Sequence, residues 1–412
     1  MTKMSSRRAL KILLCAITAP SILASSSCTN YSTQMGNTIH GESLGDQSGE
    51  SVALSSDGTI VAIGAIRNDD AGDLAGHVRV YQYDSTSTSW QQLGDDIDGE
   101  NANDQSGMSV DLSSNGLIVA IGAKEGAANS AGQVRVYQYD STSTSWQQLG
   151  DDIDGENAGD ENGMSVALSS NGLIVAIGAP GNDGVANNAG HTRVYEYDST
   201  SASWQQLGDD IDGENVNDHF GSSVALSSDG TIVAIGASRN DGVANNAGHT
   251  RVYEYDSTSA SWQQLGDDID GENVNDHFGS SVALSSDGTI VAVSAIFGGA
   301  AMFAGHVRVY EYDSTSTSWQ QIGDDIDGEN AGDSSGTSVA LSSDGNTVAI
   351  GAYENDDAFN NAGHARVYTY DPLSTSWQQL GDDIDGENVN DRAGSSVALS
   401  SDGTIVAIGA LE

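Results

Sequence analysis

Tryptophan recurs along this chain at a nearly constant interval: Trp90, Trp146, Trp204, Trp262, Trp319 and Trp377. The segment SVALSSDG and its close variants keeps the same beat, starting at Ser51, Ser109, Ser165, Ser223, Ser281, Ser338 and Ser396. A fixed period of this length confines a chain to a solenoid, a propeller or an array of one supersecondary unit. Residues 182–234 and 240–292 are identical, so adjacent units do the same structural work.

Each unit reads as four strands. In the unit from Ser223, strand A spans residues 223–227 and ends at Asp229-Gly230, a pair suited to the positive φ of a tight hairpin. Strand B spans 231–237, strand C 249–255 with alternating polarity, and strand D 262–269. No helical period interrupts them. Four antiparallel strands per repeat make the blade of a β-propeller, and a closed ring removes the open edges a flat stack would leave. The expected fold is therefore all-β, a propeller of about seven four-stranded blades. There are seven A–B hairpins but only six Trp-bearing D strands. Residues 35–42 match 93–100 in position, which predicts that this N-terminal strand pairs with the incomplete last blade and closes the ring.

Residues 1–28 read as a secretory signal peptide. Lys3, Arg7, Arg8 and Lys11 precede an apolar run at 12–24 and then small residues. Residues 29–412 are assigned to the propeller. Both cysteines, Cys15 and Cys28, lie in the leader, so no disulfide is expected inside the ring. Fourteen basic residues face 59 acidic ones, and four of the fourteen are in the leader. Such a surface repels nucleic acid and anionic lipid, which removes both as partners.

The repeats resemble the FG-GAP repeats of the integrin α-subunit propeller. Phe220-Gly221-Ser222-Ser223-Val224-Ala225-Leu226 followed by Ile235-Gly236-Ala237 carries the pattern. Phe278-Gly279 repeats its opening, and Gly178-Ala179-Pro180 supplies the literal GAP. Tyr370-Asp371-Pro372 through Trp377 has a kelch-like character. The resemblance implies a binding propeller whose ligand face is built from the B–C and D–A loops. The calcium loop that the family places in some A–B hairpins has no counterpart in Ser-Ser-Asp-Gly, so those ligands do not carry over.

Topology alone puts the short A–B and C–D turns at one end of each blade and the longer B–C and D–A loops at the other. Variable loops on a rigid frame are where binding resides. The D–A loops run GDDIDGEN and supply, in one copy, Asp209, Asp210, Asp212, Glu214 and Asp218. The leading reading is solvated acidic turns, with Asp and Gly chosen for turn geometry; calcium is the alternative, since oxygen-rich loops of this kind suit it. His77, His191, His249, His306 and His364 each precede an arginine by two residues, with Gln133 as the exception. One blade apart, they are expected to be structural, each arginine pairing with an acid of its own or the adjacent blade. The clearest break in the repeat is the B–C loop containing Ile296, Phe297, Met302 and Phe303, four apolar residues where other units are polar. It is the candidate contact surface.

The expected function is a secreted or cell-surface binding module that engages an extracellular protein or glycan. The alternative is an acidic matrix protein with many weak cation or polysaccharide sites. No catalytic motif is legible, so the chain is expected not to be an enzyme.

Overall fold

The computed structural model describes residues 9–10, 33–127, 130–299 and 301–411. The expected signal peptide lies outside them apart from Ala9–Leu10, as do both cysteines. Six antiparallel sheets follow one another along the chain, each in the order A-B-C-D. In blade 4, strand A is Phe220–Leu226, B Ile232–Ala237 and C His249–Asp256. The outer strand is broken into Ser261–Gln264 and Ile269–Asp270, both paired with strand C. The expected continuous strand at 262–269 is thus interrupted by a bulge. Gly266 in that bulge has φ +77, and a Cβ there would stand 3.0 Å from Trp319 of the next blade. The Trp319 indole N–H donates to Leu265 O at 2.8 Å, and four other tryptophans repeat this bond to the preceding bulge, while Trp90 makes it to Met35 O of the N-terminal segment. The periodic tryptophan is therefore an inter-blade bolt.

The hydrophobic cores lie between blades. Ala167 and Ala176 of blade 3 pack with Val224, Val233 and Ile235 of blade 4, and the other interfaces follow suit. The FG-GAP pattern has a direct physical reading here. Gly178 of strand B in blade 3 faces Gly221 of strand A in blade 4, so closely that a Cβ on Gly178 would lie 2.0 Å from Gly221 O. Gly221 itself has φ +88. Both glycines are needed because two backbones meet where no side chain fits.

Two expectations are corrected. The ring holds six complete blades rather than about seven, because only Ser396–Leu399 and Val406–Gly409 are present at the seventh position, as a two-stranded hairpin. The Met35–Glu42 segment does not pair with that hairpin; Ile39–His40 pairs instead with Ala9–Leu10. Closure comes from the inner strands. Ser401 N donates to Ser56 O at 2.9 Å, completing a circle of seven such bonds through Ser114, Ser170, Ser228, Ser286 and Ser343. Gly409 meets Gly49 through the same glycine contact as the other interfaces, apart from that of blade 5, which has Ser294. Ala407 joins Ile39, Val52 and Ile63 in one core, and Val397 and Ile408 join Val367 in another.

Candidate functional site

The B–C and D–A loops form one zippered rim. Asn275 N donates to Asn245 O, and His277 N to Asn246 O, so the B–C loop of blade 4 is stitched to the loop entering blade 5. Each D–A loop is closed by a buried aspartate. Asp218 accepts from Asn215 N at 2.9 Å and from Asn240 Nδ2 of the next B–C loop at 3.0 Å. Asp160 does the same with Asn157 and Asn182, and Asp333 with Asn330 and Asn355. The rim is thereby held before any partner arrives.

The acidic loop carboxylates named as candidate calcium ligands are split between two blade interfaces. Asp210 faces His191 Nδ1 at 3.6 Å and Arg193 Nε at 3.7 Å, and Asp212 lies opposite His191 in the sheet. Glu214 pairs instead with Arg251 of blade 4, and Asp218 is the loop cap just described. Asp209 is exposed. These five residues do not converge on one point.

As expected, each arginine of strand C pairs with an acid of its own or the adjacent blade: Arg193, Arg251 and Arg308 reach both, whereas Arg79, Arg135 and Arg366 reach the glutamate of the preceding loop. Arg308 contacts Asp325 of its own blade at 2.8 Å and Glu272 of the preceding loop at 2.9 Å. The histidines two residues earlier are buried, and burial, reinforced by the neighbouring arginine, pushes His191 and His249 down to about 4. They are neutral rings in the wall of the sheet.

The apolar break is where the sequence placed it, on the exposed rim. Phe297 is 38% exposed, Phe303 48% and Met302 74%, while Ile296 is half-buried. The rings form a short chain: His277 to Phe297 at 4.9 Å, then Phe297 to Phe303 at 5.5 Å. Their backbone is pinned, since Gly332 N donates to Met302 O and Ser334 N to Phe303 O. Phe303 holds φ +59, where blades 3, 4 and 6 place Asn188, Asn246 and Asn361. A bulky side chain is disfavoured in that left-handed region, whereas asparagine tolerates it. The next blade adds Phe359, 49% exposed. Sequence reasoning missed it, although an aromatic in an otherwise polar loop was a readable signal. Most of the large exposed apolar residues, including Val185, Val216, Val243, Val274 and Val389, belong to this same face.

A second break escaped notice. Asp111 stands in strand A of blade 2 (Ser109–Leu112), where the other units have alanine. Its Oδ1 accepts from Leu112 N at 2.8 Å and its Oδ2 from Leu168 N of blade 3 at 2.6 Å. The residue as a whole is partly exposed, yet protein surrounds its carboxyl between two inner strands. Burial raises it to about 6 despite both bonds.

Residues 212–253 match the FG-GAP repeat family model, a span that includes Phe220-Gly221 and Ile235-Gly236-Ala237. The remaining units repeat that sequence, so the ring is built from one motif. No curated protein matches the chain. Among solved structures, the periplasmic gluconolactonase of Pseudomonas aeruginosa is similar at 14% identity and TM-score 0.58, covering 91% of each chain. A protein of Bacteroides uniformis ATCC 8492 that carries the provisional name 6-phosphogluconolactonase is similar at 12% identity and TM-score 0.57, covering 91% of this chain and 92% of that one. Kuenenia stuttgartiensis hydrazine synthase is similar at 14% identity and TM-score 0.53, covering 89% and 94%. What is shared at such identities is the fold. The expectation that the chain is not an enzyme is corrected by these neighbours: the same ring carries a gluconolactonase, so a regular repeat does not exclude catalysis.

Proposed function

Because the chain is a propeller of FG-GAP repeats, we propose that it serves as a secreted or cell-surface binding module, engaging an extracellular protein or glycan across its B–C and D–A loop face. The observation that carries this reading is the aromatic chain His277–Phe297–Phe303, exposed on a backbone that is already pinned. Preformed apolar anchors within a polar rim are how interfaces concentrate their energy. A phenylalanine in a left-handed position adds to this, because it costs the free protein stability that an asparagine would not. Integrin-like adhesion is the family analogue of this activity. The acidic surface suits an extracellular setting and disfavours polyanions as partners.

The test is a binding screen of the full chain against extracellular proteins and glycans, comparing wild type with a Phe297→Ser, Phe303→Asn double variant. Loss of a bound partner at unchanged or raised melting temperature supports the reading. A partner held equally by both proteins moves the contact off this loop. Hydrolysis of a sugar lactone by the purified chain would instead favour the chemistry of the gluconolactonase whose fold it shares.

A further inference from the structure

The blade interfaces carry the same four groups in different arrangements: the histidine of strand C, the arginine two residues on, an aspartate of the D bulge and a glutamate of the preceding loop. In blades 4 and 5 the arginine closes on the bulge aspartate. Arg251 donates from Nε and a terminal nitrogen to Asp268 at 3.0 Å each, and Arg308 holds Asp325 at 2.8 Å. In blade 3 Arg193 donates to His191 Nε2 at 3.2 Å. Blade 2 has Gln133 in place of the histidine, donating nothing to such a cluster and accepting from Ala127 N.

Blades 1 and 6 differ. Arg79 turns to His40 O at 2.8 Å and Arg366 to Asp327 O at 3.0 Å, each also reaching the preceding glutamate. The bulge aspartates are left facing histidine. His77 Nδ1 is 3.7 Å from Asp96 Oδ2, and His364 Nδ1 is 3.8 Å from Asp383 Oδ2, both too long for a hydrogen bond. His77 is 1% exposed and His364 is fully buried. Nδ1 of His77 and both ring nitrogens of His364 have no hydrogen-bond partner. A buried imidazole nitrogen without a partner is costly unless something else satisfies it.

Carboxylates complete the setting. One ligand atom from each of Glu42, His77 and Asp96 lies within 4.8 Å of the others, and the same holds for Glu329, His364 and Asp383; Glu156, His191 and Asp210, and His249, Asp268 and Asp270, also gather, but there Arg193 already holds the histidine and Arg251 the aspartate. These two blades alone continue their B–C loops as Asn-Asp-Asp, at 68–70 and 355–357, where blades 3 and 4 have Asn-Asp-Gly. Two carboxylates pressed together beside an unsatisfied imidazole are stabilised by a shared cation.

We propose that the Glu42–His77–Asp96 and Glu329–His364–Asp383 clusters are two binding sites for a divalent transition-metal ion. An imidazole nitrogen among carboxylate oxygens suits zinc, cobalt or manganese better than calcium, which takes oxygen ligands throughout. An ion about 2.0–2.2 Å from each ligand atom would fill the gap between imidazole and carboxylate. Each site would also bridge a blade to the loop that precedes it, Glu42 coming from the N-terminal segment and Glu329 from blade 5.

The test is calorimetric titration of the full chain with zinc chloride in excess calcium, which suppresses loose binding to the acidic rim. The expected result is about two ions per chain, one in each of His77→Gln and His364→Gln, and none in the double variant. Glutamine already occupies this position at residue 133, and a thermal melt checks that the fold holds. Asp96→Asn with Asp383→Asn, at partly exposed positions, gives a second route to the same loss. Cobalt should give a visible absorption band that disappears in the double histidine variant. Absence of zinc binding, or a stoichiometry unchanged in the double variant, overturns the proposal.

Discussion

Asp111 and the strand C histidines load the protein with opposite pH dependences. Asp111 is raised to about 6 in the folded chain from 3.8. Below pH 4 it is protonated folded or unfolded, and it costs stability as pH rises from 4 to 6, by about 3 kcal/mol in all. Asp111→Ala, the residue of the sister repeats, should therefore raise the melting temperature at pH 7.5, with the gain shrinking towards zero at pH 4. A gain independent of pH would mean that packing, not charge, sets the effect. His249 is displaced the other way, from 6.5 to about 4. Its contribution is fully present above pH 6.5 and is lost as pH falls through that window to 4, again by about 3 kcal/mol. His249→Gln should flatten this part of the stability profile, as followed by melts from pH 4 to 7. Phe303→Asn belongs at the same scale: relieving the left-handed phenylalanine at φ +59 should stabilise the free protein by about 1 kcal/mol, measured by urea unfolding. An unchanged or lower stability would show that the aromatic chain with Phe297 outweighs the backbone cost.

At the scale of strands, the glycine contact between neighbouring blades is the joint on which the repeat depends. A Cβ on Gly236 would lie 2.0 Å from Gly279 O, a backbone atom that cannot swing aside. Gly236→Ala should cost about 3 kcal/mol or more in chemical denaturation, well above an ordinary strand substitution. Blade 5 shows what a local adjustment requires. It has Ser294 at this position, and that hydroxyl accepts from Ser281 N at 3.0 Å. An alanine has no hydroxyl to make that compensation. A loss under 1 kcal/mol would show that the interface can slide.

For the whole ring, the two-stranded hairpin at Ser396–Gly409 is the closing wedge. It supplies Ser401 to the circle of backbone bonds and Val397, Ala407 and Ile408 to the cores on either side. Removing residues 396–412 should lower the melting temperature by at least 10 °C and expose inner-strand edges that promote self-association. Scanning calorimetry with size-exclusion chromatography would check both. A monomeric, equally stable truncation would mean that six blades close without it.

The period of the tryptophans, the Asp-Gly hairpins and the FG and GA glycines were enough to define the all-β class, the blade and the repeat, because each is a local requirement of a tight turn or a strand. The apolar loop at 296–303 was legible for a similar reason, since it breaks a pattern set by its sister units. Phe359 and Asp111 break the pattern too, as single residues in otherwise regular stretches, and only their surroundings give them weight. Whether five histidines were five rings in a wall or ligands beside carboxylates could not be read from spacing. That depends on whether Arg79 and Arg366 turn to a carbonyl or, like Arg251, to the bulge aspartate. The same is true of the D–A acids, which lie together in sequence yet divide between two blades. Sequence determines local geometry and repeat period through short-range sterics and burial pattern; the ring decides which charges meet, because those meetings join residues 17 apart within a blade and 36 apart across to the preceding loop.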